Sequence, residues 1–101
     1  MSERSEIKRM NAKSHKNSGR GKYQKADASW KNFVVDIKEY EKSFALTKDV
    51  WAKIVTDTLK TDRNKFPALK IVLGSEQKIR LAVIEWSALE ELERLAYGDN
   101  N

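Results

Sequence analysis

Residues 19–38 read GRGKYQKADASWKNFVVDIK, and the second half of this stretch decides the fold. Residues 33–39 (FVVDIKE) predict a β-strand, because β-branched and aromatic residues come first and apolar and polar positions then alternate. One face of that strand would hold the apolar residues Phe33, Val35 and Ile37. Asp36 and Lys38 would lie on the other face, roughly 6.6 Å apart between their α-carbons. The two charged side chains should therefore project together.

A hairpin would bring a second carboxylate to the same place. Asp27 lies nine positions before Asp36, across the residues SWKN, and the pair Lys31-Asn32 can form a turn because Asn tolerates the left-handed backbone region. Carboxylate oxygens are the ligands that Mg²⁺ prefers, and a metal ion together with a lysine can activate and orient a water molecule. This arrangement is suited to the hydrolysis of phosphodiesters.

The spacing D-x8-D-x-K, preceded by the small and basic residues SGRG at positions 18–21, resembles the PD-(D/E)XK nuclease superfamily. Within it, the chain is most similar to compact phage and archaeal Holliday-junction resolvases and related phage endonucleases. The resemblance continues into SFALTKDVWAKI and PALKIVLG and covers about residues 3–95. Two positions depart from the usual pattern. Ala26 stands where proline is frequent, and Asp36 stands where glutamate is more usual, which shortens the metal ligand by one methylene.

The resemblance implies an α/β fold, a restriction-endonuclease-like mixed β-sheet flanked by helices. It further implies a crossover-junction endodeoxyribonuclease that depends on Mg²⁺ or Mn²⁺ and cuts branched DNA, the four-way junction, as a homodimer. Asp27, Asp36 and the backbone carbonyl of Ile37 would bind the metal ion. Lys38 would position the attacking water and stabilise the charge that develops on the phosphate.

The resemblance also assigns residues outside the motif. A glutamate from an N-terminal helix joins the metal site in resolvases of this family, and here the candidates are Glu6 and, less favoured, Glu3. An ordinary exposed glutamate is the alternative. The residues expected to hold the DNA backbone are Ser18, Arg20, Lys22, Lys25 and, from the helix that follows the hairpin, Lys53. For Lys53 the alternative is an ordinary solvated lysine.

The positive charge of the chain is concentrated near its N-terminus. Residues 1–31 contain nine Lys or Arg and three Asp or Glu, whereas the remaining residues contain eleven and twelve. A basic arm of this kind is suited to binding phosphates, because each neutralised phosphate releases counterions whatever the base sequence. The alternative is a solvated, disordered tail.

Length and composition predict one soluble, cytoplasmic domain over residues 1–101, with a basic arm at 1–21 and a tail at 98–101. The absence of cysteine excludes disulfides, zinc-thiolate sites and cysteine nucleophiles, and a single histidine, His15, excludes multi-histidine metal sites. We find no apolar run long enough for a membrane span, no signal peptide and no Gly-rich phosphate loop. We therefore expect no membrane partner and no nucleotide cofactor.

The other expected elements follow from periodicity and capping residues. A short helix within residues 2–12 would dock through Ile7 and Met10, and residues 13–21 would form a polar loop. A helix over residues 48–60 would be capped by Thr47. Residues 68–73 and 78–85 predict two strands, both central or nearly so, joined by GSEQ. A last helix would begin at Ser87, with Glu90 as its capping-box partner, and end at Gly98.

Two other functions are compatible with parts of this pattern. One is a non-catalytic DNA- or RNA-binding protein whose basic arm follows phosphates and whose aromatic residues stack on bases. In the other, Asp36 and Lys38 form an ordinary ion pair on an exposed sheet face, and Asp27 is a turn residue. Trp30 would contact a partner or DNA, or be an ordinary buried residue, whereas Trp51 is expected in the core rather than stacked on a base.

Overall fold

A computed structural model describes residues 2–10, 13–14 and 27–98. The fold is α/β, with a five-stranded mixed sheet in the order β1-β2-β3-β4-β5 and flanking helices, as predicted. Strands β3 and β4 run parallel, and the other neighbouring pairs are antiparallel. The elements are α1 (Ser2–Met10), β1 (Lys13–Ser14), β2 (Ala28–Trp30), β3 (Phe33–Tyr40), α2 (Lys48–Thr61), β4 (Phe66–Leu73), β5 (Ile79–Ile84) and α3 (Trp86–Tyr97).

Alternation along β3 divides the core between the two faces of the sheet. On one face, here called the α1 face, Val35, Ile37 and Ala68 pack against Ile7 and Met10 of α1. This contact confirms the expected docking of the N-terminal helix. On the opposite α2 face, the crossover helix α2 packs on β4 through a cluster formed by Ile54, Leu69 and Ile71. Trp51 packs against that cluster, as expected for a core residue.

The hairpin between β2 and β3 turns at Lys31 and Asn32, as predicted, with Trp30 paired to Phe33. The left-handed position is taken by Lys31, at φ +56°, and not by Asn32 as expected. The loop predicted at 13–21 is wrong at its start, because Lys13 and Ser14 form the short strand β1 beside β2.

The strands after α2 differ from the sequence prediction in two respects. Strand β4 begins at Phe66 and includes Pro67, although residues 68–73 were expected. Pro67 is tolerated because β5 ends opposite Ala68, so its missing N–H breaks no bond to that strand. The prediction that β5 is central or nearly so is wrong. It is the edge strand of the described sheet, and its first four residues are exposed.

Two of the three predicted helix ends are confirmed, and one is wrong. The Thr47 hydroxyl accepts the N–H of Val50 at 3.2 Å, which begins α2 as predicted. Helix α3 instead begins one residue before Ser87, after a Glu85 that makes no side-chain cap hydrogen bond, so the predicted capping box does not form. Gly98, at φ +78°, ends α3 as predicted. No helix in the ranges described is long and apolar enough to cross a membrane.

Glu6 lies on the α1 face, which corrects its expected place beside Asp27 and Asp36 on the α2 face. Its carboxylate is buried, with 2% of the residue exposed. It accepts hydrogen bonds from Arg80 at 3.1 and 3.2 Å, and Lys70 Nζ lies 2.9 Å away. The physical reason is register: Lys70 pairs with Ile37 and Arg80 with Val72, so both cations stand on the α1 face. Glu6 neutralises them there.

We predict that Glu6→Gln lowers the free energy of unfolding by about 2–3 kcal/mol at neutral pH, because it leaves the Lys70 ammonium poorly compensated in a largely buried site. Burial raises the pKa of Glu6, but hydrogen bonds and charges from Arg80 and Lys70 outweigh it and hold that pKa below the ordinary 4.5. The stabilisation is therefore present above about pH 4.5 and is lost as the pH falls below that value.

Urea denaturation followed by circular dichroism measures this effect. The exposed Glu41→Gln, outside the cavity that Glu6 and Arg80 line, serves as the matched control, and its stability should equal that of the wild type. A Glu6→Gln variant as stable as the wild type at neutral pH would contradict a structural role for this cluster.

Candidate active site

Strand register brings two carboxylates face to face. Ala28 pairs with Val35 and Ser29 with Val34 in the antiparallel ladder. Continuing that register by one residue puts Asp27 opposite Asp36. Directly opposed residues share a face of the sheet, so both side chains belong to the α2 face. The hairpin thus brings Asp27 and Asp36 together on one face of the sheet, as the sequence predicts.

A backbone hydrogen bond fixes Asp27 in this position. Its Oδ2 atom accepts the N–H of Ile37 at 2.8 Å. The described ladder between β2 and β3 ends at the pair Ala28–Val35, so Ile37 lies beyond it and its N–H needs another acceptor. The Asp27 carboxylate supplies one. The peptide of Ile37, whose carbonyl is a predicted metal ligand, consequently lies directly beside the site.

Asp36 lies in an environment that disfavours its charged form. Burial is the largest cause, and the negative charge and hydrogen bonding of the neighbouring Asp27 act in the same direction, while Lys38 opposes them. Together they raise the pKa of Asp36 from 3.8 to about 6. Two carboxylates held this close repel each other unless a proton or a cation lies between them.

Lys38 forms an ion pair with Asp36. Its Nζ atom is 3.3 Å from Oδ2 of Asp36, and the two side chains are 34% and 19% exposed. Burial lowers the pKa of Lys38, but the charges of Asp36 and Asp27 and the hydrogen bond to Asp36 more than offset this, so that the pKa is raised. Lys38 therefore stays an ammonium ion that can donate hydrogen bonds.

Helix α2 encloses the outer end of this group. A cavity of about 280 Å³ lies between β3 and α2, and it is lined in part by Asp36, Lys38, Lys53 and Asp57. Lys53 Nζ and Asp57 Oδ2 form an ion pair at 3.2 Å within α2. The structure therefore brings Lys53, a predicted DNA contact, to the same cavity as Asp36 and Lys38. The α2 face is a covered pocket there and not an open polar surface.

Asp57 was not singled out from the sequence, although a signal for it exists. Val50, Lys53, Ile54 and Asp57 follow the spacing i, i+3, i+4, i+7, which is one face of a helix, and all four line the cavity. The side chain of Asp57 is only 14% exposed. A polar residue on the inward face of the crossover helix is the observation that would have identified it.

The oxygen atoms at this site can be compared with the ligands that a divalent cation requires. In the ranges described, no group of three or more His, Cys, Asp or Glu side chains stands close enough together to hold a metal ion. Asp27 and Asp36 contribute two side-chain carboxylates, and the backbone carbonyl of Ile37 would add a third oxygen ligand. The raised pKa of Asp36 fits this role, because a cation between the two carboxylates would relieve their repulsion. Oxygen-only ligands suit Mg²⁺ or Mn²⁺.

The other predicted residues are placed as follows. Glu6 is on the opposite face of the sheet and is not brought to Asp36. Trp30 is 37% exposed and stacks on Phe33 at the end of the hairpin, so its exposed part remains available for contact. Four predicted DNA-binding residues lie outside the described residues: Ser18, Arg20, Lys22 and Lys25.

We predict that Asp36→Asn becomes more stable relative to the wild type as the pH rises, in buffer with EDTA. Because the pKa of Asp36 is raised in the folded protein, the folded state holds its proton more tightly than the unfolded chain does. Wild-type stability should therefore fall as the pH rises from 3.8 to about 6, by about 2–3 kcal/mol from this residue. The Asn side chain does not titrate and escapes this loss.

Urea denaturation at a series of pH values measures the difference between the two proteins. Glu41→Gln, in the exposed loop before α2, is the matched control and should follow the wild type at every pH. A constant difference between wild type and Asp36→Asn across this pH range would show that Asp36 is not destabilised by its surroundings.

Comparisons with protein-family models, with curated proteins and with solved structures found no match to this chain. Its function has to be argued from the residues of the site themselves. Those residues are two opposed carboxylates, one ammonium group beside them, and a cavity under α2 with both charged and apolar walls.

Proposed function

We propose that this protein is a metal-dependent DNA endonuclease of the phage type, a Holliday-junction resolvase that hydrolyses phosphodiesters in branched DNA. One observation carries the proposal: Asp27, Asp36 and Lys38 converge on the α2 face of the central hairpin. The order of helix, hairpin, crossover helix, two strands and helix is also the layout expected from the resemblance to PD-(D/E)XK nucleases, with the short strand β1 in addition.

Each residue has a defined part in this chemistry. Asp27 and Asp36 provide the carboxylate oxygens for Mg²⁺ or Mn²⁺, with the Ile37 carbonyl beside them. A cation held there would supply Lewis-acid stabilisation of the phosphate and would lower the pKa of a water molecule. Lys38, held 3.3 Å from Asp36, orients that water and donates a hydrogen bond to the developing negative charge. Lys53 lies at the same cavity and contacts the phosphate backbone.

The covered position of the site favours this proposal over an ordinary surface ion pair. An exposed pair on a polar sheet face would leave both side chains in water, whereas Asp36 is 19% exposed and lies under α2. Burial and the neighbouring carboxylate of Asp27 raise the pKa of Asp36 to about 6, so keeping Asp36 charged in this place costs stability. Costly arrangements of titratable groups in a cleft are common at functional sites.

The substrate and the assembly belong to the same proposal. A four-way junction has two cleavage positions related by a dyad, and a homodimer with two-fold symmetry matches them. The basic character of residues 1–31 supplies the attraction to phosphates that a DNA enzyme needs. The proposed substrate implies a cytoplasmic protein, in a host cell if a phage encodes it, that needs neither a membrane nor a nucleotide cofactor.

We predict paired nicks on a labelled synthetic four-way junction and none on a linear duplex with the same arms. Cleavage should require Mg²⁺ or Mn²⁺ and should stop with EDTA. Lys38→Ala should lower the cleavage rate by about 100-fold or more, since it removes a charged donor aimed at the reacting phosphate. Lys42→Ala, an exposed lysine outside the cavity, is the matched control and should cut at the wild-type rate.

The alternative function gives a different result in the same assay. A non-catalytic basic DNA- or RNA-binding protein would retard the junction in a gel with or without metal and would leave every strand intact. Binding without metal-dependent cleavage would therefore overturn the enzyme and favour that alternative. Cleavage that survives Lys38→Ala would contradict the role given to this lysine.

A further inference from the structure

The last helix of the described chain is poorly buried. Seven of the twelve exposed large apolar side chains among the described residues lie between residues 79 and 97. On α3, Ala88 is buried, whereas Leu89, Leu92 and Leu95 are 42%, 42% and 66% exposed. These leucines are three residues apart and form one stripe along the helix. An apolar stripe of this kind normally packs against another element.

An apolar groove lies beside that stripe on the α1 face. It has a volume of about 390 Å³ and is lined largely by apolar side chains. Those that the sheet and the helices contribute to it include Met10, Val35, Ala68, Ala82, Ile84 and Leu92. Helix α3 therefore borders the groove without filling it. A single residue, Glu85, joins β5 to α3.

Strand β5 next to the groove is an open sheet edge. Its sequence, IRLAVI, carries one charged residue, Arg80, and no proline. Natural proteins protect such edges with charges, proline, bulges or a covering element, because the free N–H and C=O groups otherwise pair with another chain. Ile79 and Leu81 of β5 are 58% and 46% exposed, and their register places them on the α2 face. The edge strand therefore borders the groove on one face of the described sheet and exposes apolar side chains on the other.

We propose that a second copy of this chain covers this region, with the leucine stripe of each α3 packed in the groove of the other copy. The α3 surface is defined here by Leu89, Leu92, Leu95 and the groove. The inference deepens the homodimer of the proposed function, and its biological meaning rests on that function. A two-fold arrangement needs one self-complementary surface, and the chain offers both an apolar stripe and an apolar groove.

The exposed area is of the right size for such an interface. Trp86, which is 71% exposed, lies three residues before Leu89 and continues the leucine stripe. Side chains of this size together expose on the order of 500 Å², to which the groove wall adds. A standard interface buries about 800 Å² on each partner. Contiguous apolar patches of several hundred Å² usually mark interaction sites.

Charge complementarity also favours a second copy. Outside its apolar stripe, α3 carries Glu90, Glu91 and Glu93 against the single basic residue Arg94. The α1 face near the groove carries the exposed Lys8 and Arg9 in the last turn of α1. Bringing the α3 of one copy to the α1 face of the other would set acids against bases at the rim. Rim charges of opposite sign favour encounter and fix orientation.

Sedimentation equilibrium of the full chain, without DNA or metal, tests the inference. We expect the wild type to have twice the chain mass of 11.7 kDa at micromolar concentration. Leu92→Asp combined with Leu95→Asp should raise the dissociation constant by about 100-fold or more, because two charges enter the apolar centre of the interface. Leu59→Asp, on the exposed side of α2, is the matched control and should remain a dimer.

Crosslinking keeps the test decisive if the double variant fails to fold. Since the chain has no cysteine, a single introduced thiol reports on its own surroundings. A short bismaleimide should link two chains through Leu92→Cys or Leu95→Cys and not through Leu59→Cys. A monomeric wild type, or equal crosslinking at all three positions, would overturn the α3 interface.

Dimerisation and cleavage can fail separately. A dimer that breaks on substitution of α3 but never cuts DNA would keep this interface and reject the nuclease. A monomer that nicks junctions in a metal-dependent reaction would reject the interface and keep the nuclease.

Discussion

The site depends on one constraint, the pairing of Asp27 with Asp36 across the β2–β3 hairpin. Asp27 is fixed by the Ile37 N–H at 2.8 Å, and the strand register sets Asp36 opposite it. Backbone geometry therefore brings two carboxylates together in a partly buried place, where burial first and the neighbouring Asp27 second raise the pKa of Asp36 to about 6. The proposed binding of a cation between these carboxylates would offset this destabilisation.

The crossover helix gives that pair its surroundings. Because β3 and β4 are parallel, the chain between them has to return across the sheet, and α2 does so on the face that holds Asp36 and Lys38. The inward spacing of Lys53 and Asp57 then adds a second ion pair to the same cavity. On the other face, the buried Glu6 satisfies Lys70 and Arg80. One face of the sheet thus carries the candidate chemistry, and the other carries a structural ion cluster.

The sequence predicted those parts of the fold that local patterns specify. The alternation of apolar and polar residues predicted β3, and Thr47 predicted the start of α2. The spacing of Asp27 and Asp36 predicted the hairpin that brings them together. Glu6 was misplaced because periodicity shows that a helix buries Ile7 and Met10 but not which face of the sheet receives it. The partners of Glu6 lie 64 and 74 residues away, at Lys70 and Arg80, and no local pattern links them to it.

The edge position of β5 was missed for a related reason. Residues 78–85 are apolar enough for a central strand, and apolar content alone cannot distinguish a central strand from an edge strand. The same ambiguity holds for the exposed leucines of α3. Asp57 was missed because the spacing of residues along α2 marks the inward face of the helix but does not show which strand that face packs against.

Binding of Mn²⁺ measured by isothermal titration calorimetry tests the central claim most directly. The account predicts that the wild type binds Mn²⁺ and that Asp36→Asn weakens binding by about 10-fold or more, while affinity for junction DNA is unchanged or raised. Glu41→Gln should bind as the wild type does. A wild type that binds no Mn²⁺, or an Asp36→Asn variant that binds it equally well, would contradict the assignment of these carboxylates to a metal centre.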